Sequence, residues 1–218
     1  MGSIRMRGTG DVLRVGKIVA AGSNYLDHTK EMGMPRPDSP VLFLKPSSSI
    51  IHEGEPIVFP RSGEVLHHEV ELGLLIGRDC TDVHVEKAHE YVAGYLLALD
   101  LTLRDLQSEA KSRGLPWSTA KGFDCACPVS EVLPVELLDA LSALDLGLDV
   151  NGEERQRGNT RDMLCGPEEL VAIASRFFTL ERGDLVLTGT PSGVGPLERG
   201  DTVKAWLGDL LEVRLEVV

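Results

Sequence analysis

The sequence predicts an α+β fold dominated by strands, with a few short helices. Three observations carry this reading. The apolar runs are short and end at glycine, proline or asparagine, as residues 57–59 end before Pro60. The last segment sets Leu211, Val213, Leu215 and Val217 against Glu212, Arg214 and Glu216, the period of two of a half-buried strand. Helical periodicity is confined to two stretches, so strands do not alternate with helices as in a doubly wound β-α-β sheet.

Residues 17–21 read as a strand ending at Gly22. Asn24 to Glu31 is short and polar, and Pro35, Pro37 and Pro40 impose an irregular loop. Residues 41–44 and 57–59 read as short strands, and 65–76 as a longer apolar one. Residues 91–101 form a second apolar stretch, compatible in part with helix or strand.

Thr102 suits an N-cap with Asp105 in the first turn of a helix that runs to about Arg113, where Gly114 stops it. Leu103, Leu106 and Ala110 would line its buried face. Residues 145–150 form a strand that enters a hairpin turn at Asn151-Gly152. Pro167 at a first helical position, Glu168 and Glu169 beside it, and Leu170, Ile173, Ala174 and Phe177 at helical spacing define the clearest helix. Residues 185–187 and 202–207 are strands, separated by the glycine-rich loop 189–200.

A chain of 218 residues can bury a core as one large domain. Its 34 acidic residues outnumber 22 basic ones for a net charge of −12, which opposes nucleic acid and anionic membranes as partners. No apolar run is long enough to span a bilayer. The first seven residues carry two arginines and no acid, but they lack the apolar core of a secretory signal. Gly2 lacks the serine or threonine at position 6 that myristoylation wants, so a frayed terminus is the preferred reading. Cys80, Cys125, Cys127 and Cys165 have no zinc-site spacing and read as reduced thiols of an intracellular protein, mitochondrial or cytosolic.

Chemistry concentrates in His67-His68-Glu69-Val70-Glu71-Leu72-Gly73. On a strand, Glu69 and Glu71 face the same way, roughly 7 Å apart. Both lie among apolar residues with no local basic partner, and Asp100 likewise interrupts an apolar run. A hard cation resolves the repulsion, and Mg²⁺ suits an all-carboxylate site with positions left for substrate oxygens. An anionic substrate would need added positive charge, for which Lys121 and Arg104 are candidates, with Gln107 as a neutral donor. His28 and Glu31, three apart, form either an exposed ion pair or a general-base pair on a lid. Thr188-Gly189-Thr190-Pro191 and Gly193-Val194-Gly195 offer hydroxyls and backbone N–H groups to a carboxylate, or form a plain glycine turn.

Six ordered blocks resemble the fumarylacetoacetate hydrolase superfamily. They are Gly22-Ser23-Asn24-Tyr25 with Asp27-His28-x-x-Glu31, Val41 to Pro46, His67 to Gly73, Leu99-Asp100-Leu101-Thr102-x-Arg104-Asp105-x-Gln107, Gly114-Leu115-Pro116-Trp117, and Leu187 to Gly195. The short length and the Lys-Gly-Phe after Trp117 are most similar to the acylpyruvase branch. The resemblance implies a mixed β-roll or β-sandwich in a single catalytic domain over 17–218, behind an N-terminal extension over 1–16. It also implies a homodimer and Mg²⁺ or Mn²⁺ held by Glu69, Glu71 and Asp100. His28 and Glu31 would activate water, Lys121, Arg104 and Gln107 would contact substrate or oxyanion, and Thr190 the substrate carboxylate. Ser23 departs from the arginine that many relatives carry there.

The activity implied is cleavage of the carbon–carbon bond of acylpyruvates, small anionic 2-keto acids, with oxaloacetate decarboxylation as a second reaction. A keto–enol tautomerase of oxaloacetate or related 2-keto acid isomerase, and a catalytically idle metal- or 2-keto-acid-binding protein, are the alternatives.

Overall fold

Every residue of Val70–Ile76 is buried, and so is all of Val92–Leu99 except Ala93. These strands pair antiparallel at the centre of an 8-stranded mixed sheet in a computed structural model that describes residues 2–31, 39–138 and 143–218, the side chains of 28–30 excepted. Leu185–Leu187 lies on the other side of Val70–Ile76 and runs parallel to Lys17–Gly22, which pairs with Val41–Pro46 at the edge. Beyond Val92–Leu99 come Cys127–Val129 and Ile50–His52, a parallel pair. A second, 4-stranded antiparallel sheet has the order Glu153–Asn159, Asp145–Val150, Thr202–Leu207, Leu211–Glu216. One large apolar cluster joins the two, from Leu72 and Leu97 to Leu148, Ala205 and Val213. The strand-dominated α+β architecture is the one the sequence predicts.

Several elements follow directly from local chemistry. Asn151 and Gly152 turn the hairpin with φ of 54° and 81°, the left-handed pair such a turn requires. The helix Arg104–Arg113 ends at Gly114, whose φ is 64°. The helix Pro167–Phe177 starts with the Glu169 carboxylate accepting from Gly166 N–H at 2.8 Å. The ambiguous stretch at 91–101 is strand, because Val92–Leu99 is bonded on both sides.

Five expectations are corrected. The segment 65–76 is two strands, Leu66–His68 and Val70–Ile76, which belong to different sheets and break at Glu69. Thr102 is not a cap: it pairs with His67 in extended backbone and its hydroxyl donates to Asp100 O, so the helix begins at Arg104. Residues 57–59 run beside 216–218, with Ile57 N–H on Glu216 O, Val218 N–H on Ile57 O and Phe59 N–H on Val218 O, but form a single bridge, Ile57 to Val217, rather than a strand. The buried stripe of Pro167–Phe177 runs through Leu170, Val171 and Ala174 and leaves Phe177 72% exposed at the helix end. The amino terminus is not frayed: Ser3–Arg5 pairs with Val12–Arg14, buries Ile4, and is tied to Val132 through Arg5 and Arg7. No helix among the described residues is long and apolar enough to cross a membrane.

Candidate metal centre

The break at Glu69 builds the site. Leu66–His68 pairs with Thr102–Leu103 and Gly195–Leu197 in a small 3-stranded sheet, while Val70–Ile76 continues into the large one. Glu69 and Asp100 both stand where the chain crosses between the two sheets, joined by the bond from Asp100 N–H to Glu69 O at 2.8 Å. Glu71 follows on the strand, opposite Ala98. Carboxylate oxygens of Glu69, Glu71 and Asp100 lie within 4.8 Å of one another, and all three side chains are buried.

Basic partners that the local sequence does not supply arrive from elsewhere in the fold. Lys121, 2% exposed, donates to Glu69 Oε2 at 2.8 Å and Asp100 Oδ2 at 2.5 Å. Arg104 Nη2 donates to Glu69 Oε1. Lys45, 1% exposed, donates to Asp100 Oδ1 at 2.6 Å and also to Lys121 O. Burial alone would lower the pKa of Lys121, but Asp100 and Glu69 outweigh it and hold the group above its ordinary value as an ammonium.

Glu71 stands apart. It accepts from Gly189 N–H at 2.7 Å, yet it makes no ion pair among the described residues. Burial, followed by repulsion from Asp100 and Glu69, raises its pKa well above the ordinary carboxylate value. A buried anion lacking a cation, facing two further carboxylates, fits a divalent metal ion and its oxygen-rich ligand set. Metal binding should therefore expel a proton from Glu71, so affinity should rise with pH. Calorimetric titration with Mg²⁺ or Mn²⁺ in buffers of different ionisation enthalpy should show that proton, and buffer-independent heats would contradict it.

Gly189 has φ of +89°, and a Cβ there would lie 2.9 Å from Asn24 Cβ and 3.1 Å from Ala21 O. Gly189→Ala should destabilise the fold by about 1–3 kcal/mol in urea titrations and disturb the donor to Glu71. Asn24 secures this turn, with Nδ2 donating to Thr188 O and Cys165 O at 2.8 Å each and Oδ1 accepting from Cys165 N–H.

A cavity opens on the carboxylates, lined by Ser23, Phe43, Arg104, Gln107, Trp117 and Thr190 among others. Arg104 Nη1 donates to Gln107 Oε1 at 2.6 Å, which leaves the Gln107 amide N–H₂ for the cavity. Phe43 and Trp117 pack with ring centroids 5.7 Å apart, and Lys121 Nζ lies 5.0 Å above the Phe43 ring. Ser23 sits at φ of 63°, a left-handed conformation unusual for serine. His67 is pushed down to about 4 by burial and by Arg104, so it is a neutral imidazole.

The structure thus brings together six of the nine candidates directly: Glu69, Glu71, Asp100, Lys121, Arg104 and Gln107, with Thr190 on the same cavity wall. Glu31 lies on the helix Leu26–Glu31, and its carboxylate accepts from Gly193 N–H at 3.1 Å through each oxygen. The side chain of His28, on the same helix, lies outside the described residues. The N–H groups of the glycine loop do bind carboxylates, but these are the chain's own Glu71 and Glu31. Lys45, Asn24 and Gln156 were missed. A lysine inside the apolar run 41–44 and its proline was the available signal for the first.

The family described as fumarylacetoacetate (FAA) hydrolase, C-terminal, matches residues 17–218. The chain belongs to this family. A relative from Bos taurus, named oxaloacetate tautomerase FAHD1, mitochondrial, is 45% identical over 92% of this chain and 90% of its own length. One from Dictyostelium discoideum, named oxaloacetate decarboxylase, mitochondrial, is 46% identical over 89% of each chain. The crystal structure of fumarylpyruvate hydrolase from Pseudomonas aeruginosa with Mn²⁺ and pyruvate is 35% identical and superimposes with a TM-score of 0.95, covering 99% of this chain and 95% of that one.

Proposed function

We propose that this protein is a divalent-metal-dependent enzyme of small 2-keto acids, which hydrolyses acylpyruvates to pyruvate and a carboxylate and decarboxylates oxaloacetate. The observation that carries this reading is the trio Glu69, Glu71 and Asp100 at the floor of a cavity, with the ammonium of Lys121 across two of them. A bound Mg²⁺, or Mn²⁺ as in the Pseudomonas relative, would supply Lewis-acid polarisation of the keto group. Three acids and three bases cancel formally in this cluster, so a divalent ion leaves a positive site suited to an anionic substrate.

The chain's own residues do the rest. Lys121 stabilises the enolate oxygen that both reactions generate. Gln107 and Thr190 orient the 2-keto acid, and Phe43 and Trp117 exclude water from one wall. His28 and Glu31 form the pair that activates water for attack on the distal acyl carbonyl, a step decarboxylation does not need. The same family reading carries a homodimer and an intracellular compartment.

The names of the mammalian relatives favour a second reading, tautomerisation of oxaloacetate, which needs proton transfer to and from the same enolate without bond cleavage. Pyruvate release from acetylpyruvate and from oxaloacetate, and decay of oxaloacetate enol absorbance, should be followed with metal-loaded and EDTA-treated protein. Metal-dependent pyruvate from both substrates supports the first reading. Enol decay without pyruvate supports the second, and silence in all three assays overturns both.

A further inference from the structure

Gln156 lies on the edge strand Glu153–Asn159, whose sequence is otherwise almost wholly charged or polar and mostly exposed, yet Gln156 itself is 1% exposed. Its carboxamide crosses to the other sheets. Oε1 accepts from Val70 N–H at 3.0 Å and lies 2.9 Å from His68 Nδ1, while Nε2 lies 2.8 Å from Thr190 Oγ1 and 3.0 Å from Pro191 O.

The orientation of this amide is forced. Val70 N–H can only donate and Pro191 O can only accept, so reversing the amide would set donor against donor and acceptor against acceptor. His68 must therefore donate from Nδ1. Gln156 must likewise donate to Thr190, whose hydroxyl oxygen is an acceptor in that bond. The hydroxyl hydrogen is left for another partner, on a side chain that lines the cavity with Glu71 and Lys121.

We infer that Gln156 is a positioning residue that fixes the Thr190 hydroxyl as a hydrogen-bond donor to the carboxylate of a 2-keto acid. This rests on the reading of the cavity as a 2-keto-acid site. The preference for a carboxylate at that end then begins at a backbone N–H, that of Val70, immediately beside the metal ligand Glu69. Gln156→Glu keeps the acceptor for Val70 but offers Thr190 an acceptor instead of a donor, which draws the hydroxyl hydrogen away from the cavity.

The test is calorimetric binding of oxalate, which presents the planar O–C–C–O edge of a 2-keto acid, to the full chain loaded with Mn²⁺. Gln156→Glu should weaken oxalate on the order of tenfold, with Mn²⁺ affinity unchanged. Thr190→Ser keeps the hydroxyl and should remain sensitive to Gln156→Glu. Thr190→Val should lose affinity, and adding Gln156→Glu to it should cost nothing further. Undiminished oxalate affinity in Gln156→Glu, or a full second loss in the double variant, overturns the relay. Unchanged affinity in Thr190→Val instead overturns the underlying placement of substrate against Thr190. If Gln156→Glu does not fold by circular dichroism, the shorter Gln156→Asn serves: it cannot span Val70 and Thr190 together, and parental affinity in it overturns the relay.

Discussion

Glu71→Gln is expected to abolish metal-dependent turnover while raising the melting temperature of the metal-free protein. The two effects have one cause. In the absence of an ion, the Glu71 carboxyl is buried beside Asp100 and Glu69, and its pKa is raised. A group whose folded pKa lies above its unfolded one contributes stability at acid pH, and that stability is lost as pH rises through the raised value. Glutamine never ionises, keeps an oxygen for Gly189 N–H, and removes that loss. Each kcal/mol recovered is worth roughly 2–4 °C in a chain of this size. The same change deletes one of the three proposed anionic ligands, and turnover should fall on the order of a thousandfold or more. Calorimetric melting in EDTA across pH, with metal titrations of both proteins, checks the pair. A lower melting temperature for the variant at neutral pH would show that Glu71 is already compensated without an ion.

Lys121→Met is expected to separate catalysis from metal binding. Lys121 is fully buried and touches Glu69 and Asp100, so its loss leaves these two carboxylates with Arg104 and Lys45 as their ion-pair partners among the described residues. Breaking a buried ion pair from one side costs about 3–5 kcal/mol, and the metal-free variant should melt early by that amount. A divalent ion replaces the missing charge, so metal affinity should be retained or increased and loading should restore much of the stability. Turnover should still fall by about a hundred- to a thousandfold, because Lys121 is the ammonium held against both Glu69 and Asp100 at the cavity floor. Parallel measurement of metal affinity and kcat decides this. A variant that loses the metal with the activity would make Lys121 a scaffold of the ligand set and nothing more.

The carboxylate trio was legible because burial and charge conflict in the sequence itself: Glu69, Glu71 and Asp100 interrupt apolar runs, and strand periodicity points the first two together. What periodicity could not convey is that the strand breaks at Glu69. The break depends on pairing with Thr102–Leu103 and Gly195–Leu197, partners far away in the chain. Thr102 misled for the same reason, since its short polar side chain suits a cap until its backbone is claimed by His67. Lys45 and Gln156 stayed hidden because their meaning is set by a partner's position. A lysine in a strand is ordinarily a solvated edge residue, and a glutamine among Glu153, Glu154, Arg155 and Arg157 reads as surface. Glycine and proline signals, by contrast, act locally, and the turns at Asn151-Gly152 and Gly114 and the helix start at Pro167 were all readable.

The glycine loop carries a consequence for how such a protein can change. Gly189 N–H is bonded to Glu71 at the cavity floor, and Gly193 N–H to Glu31 on the helix Leu26–Glu31. One short backbone segment is thus pinned at both ends by carboxylates, one at the cavity floor and one on a separate helix. Under the proposed function, a substitution on that helix that changes how Glu31 is held will also be felt in the grip of Glu71 on the ion, and by reciprocity the identity of the ion will be felt at Glu31. Substrate range and metal preference would then be one inherited trait rather than two.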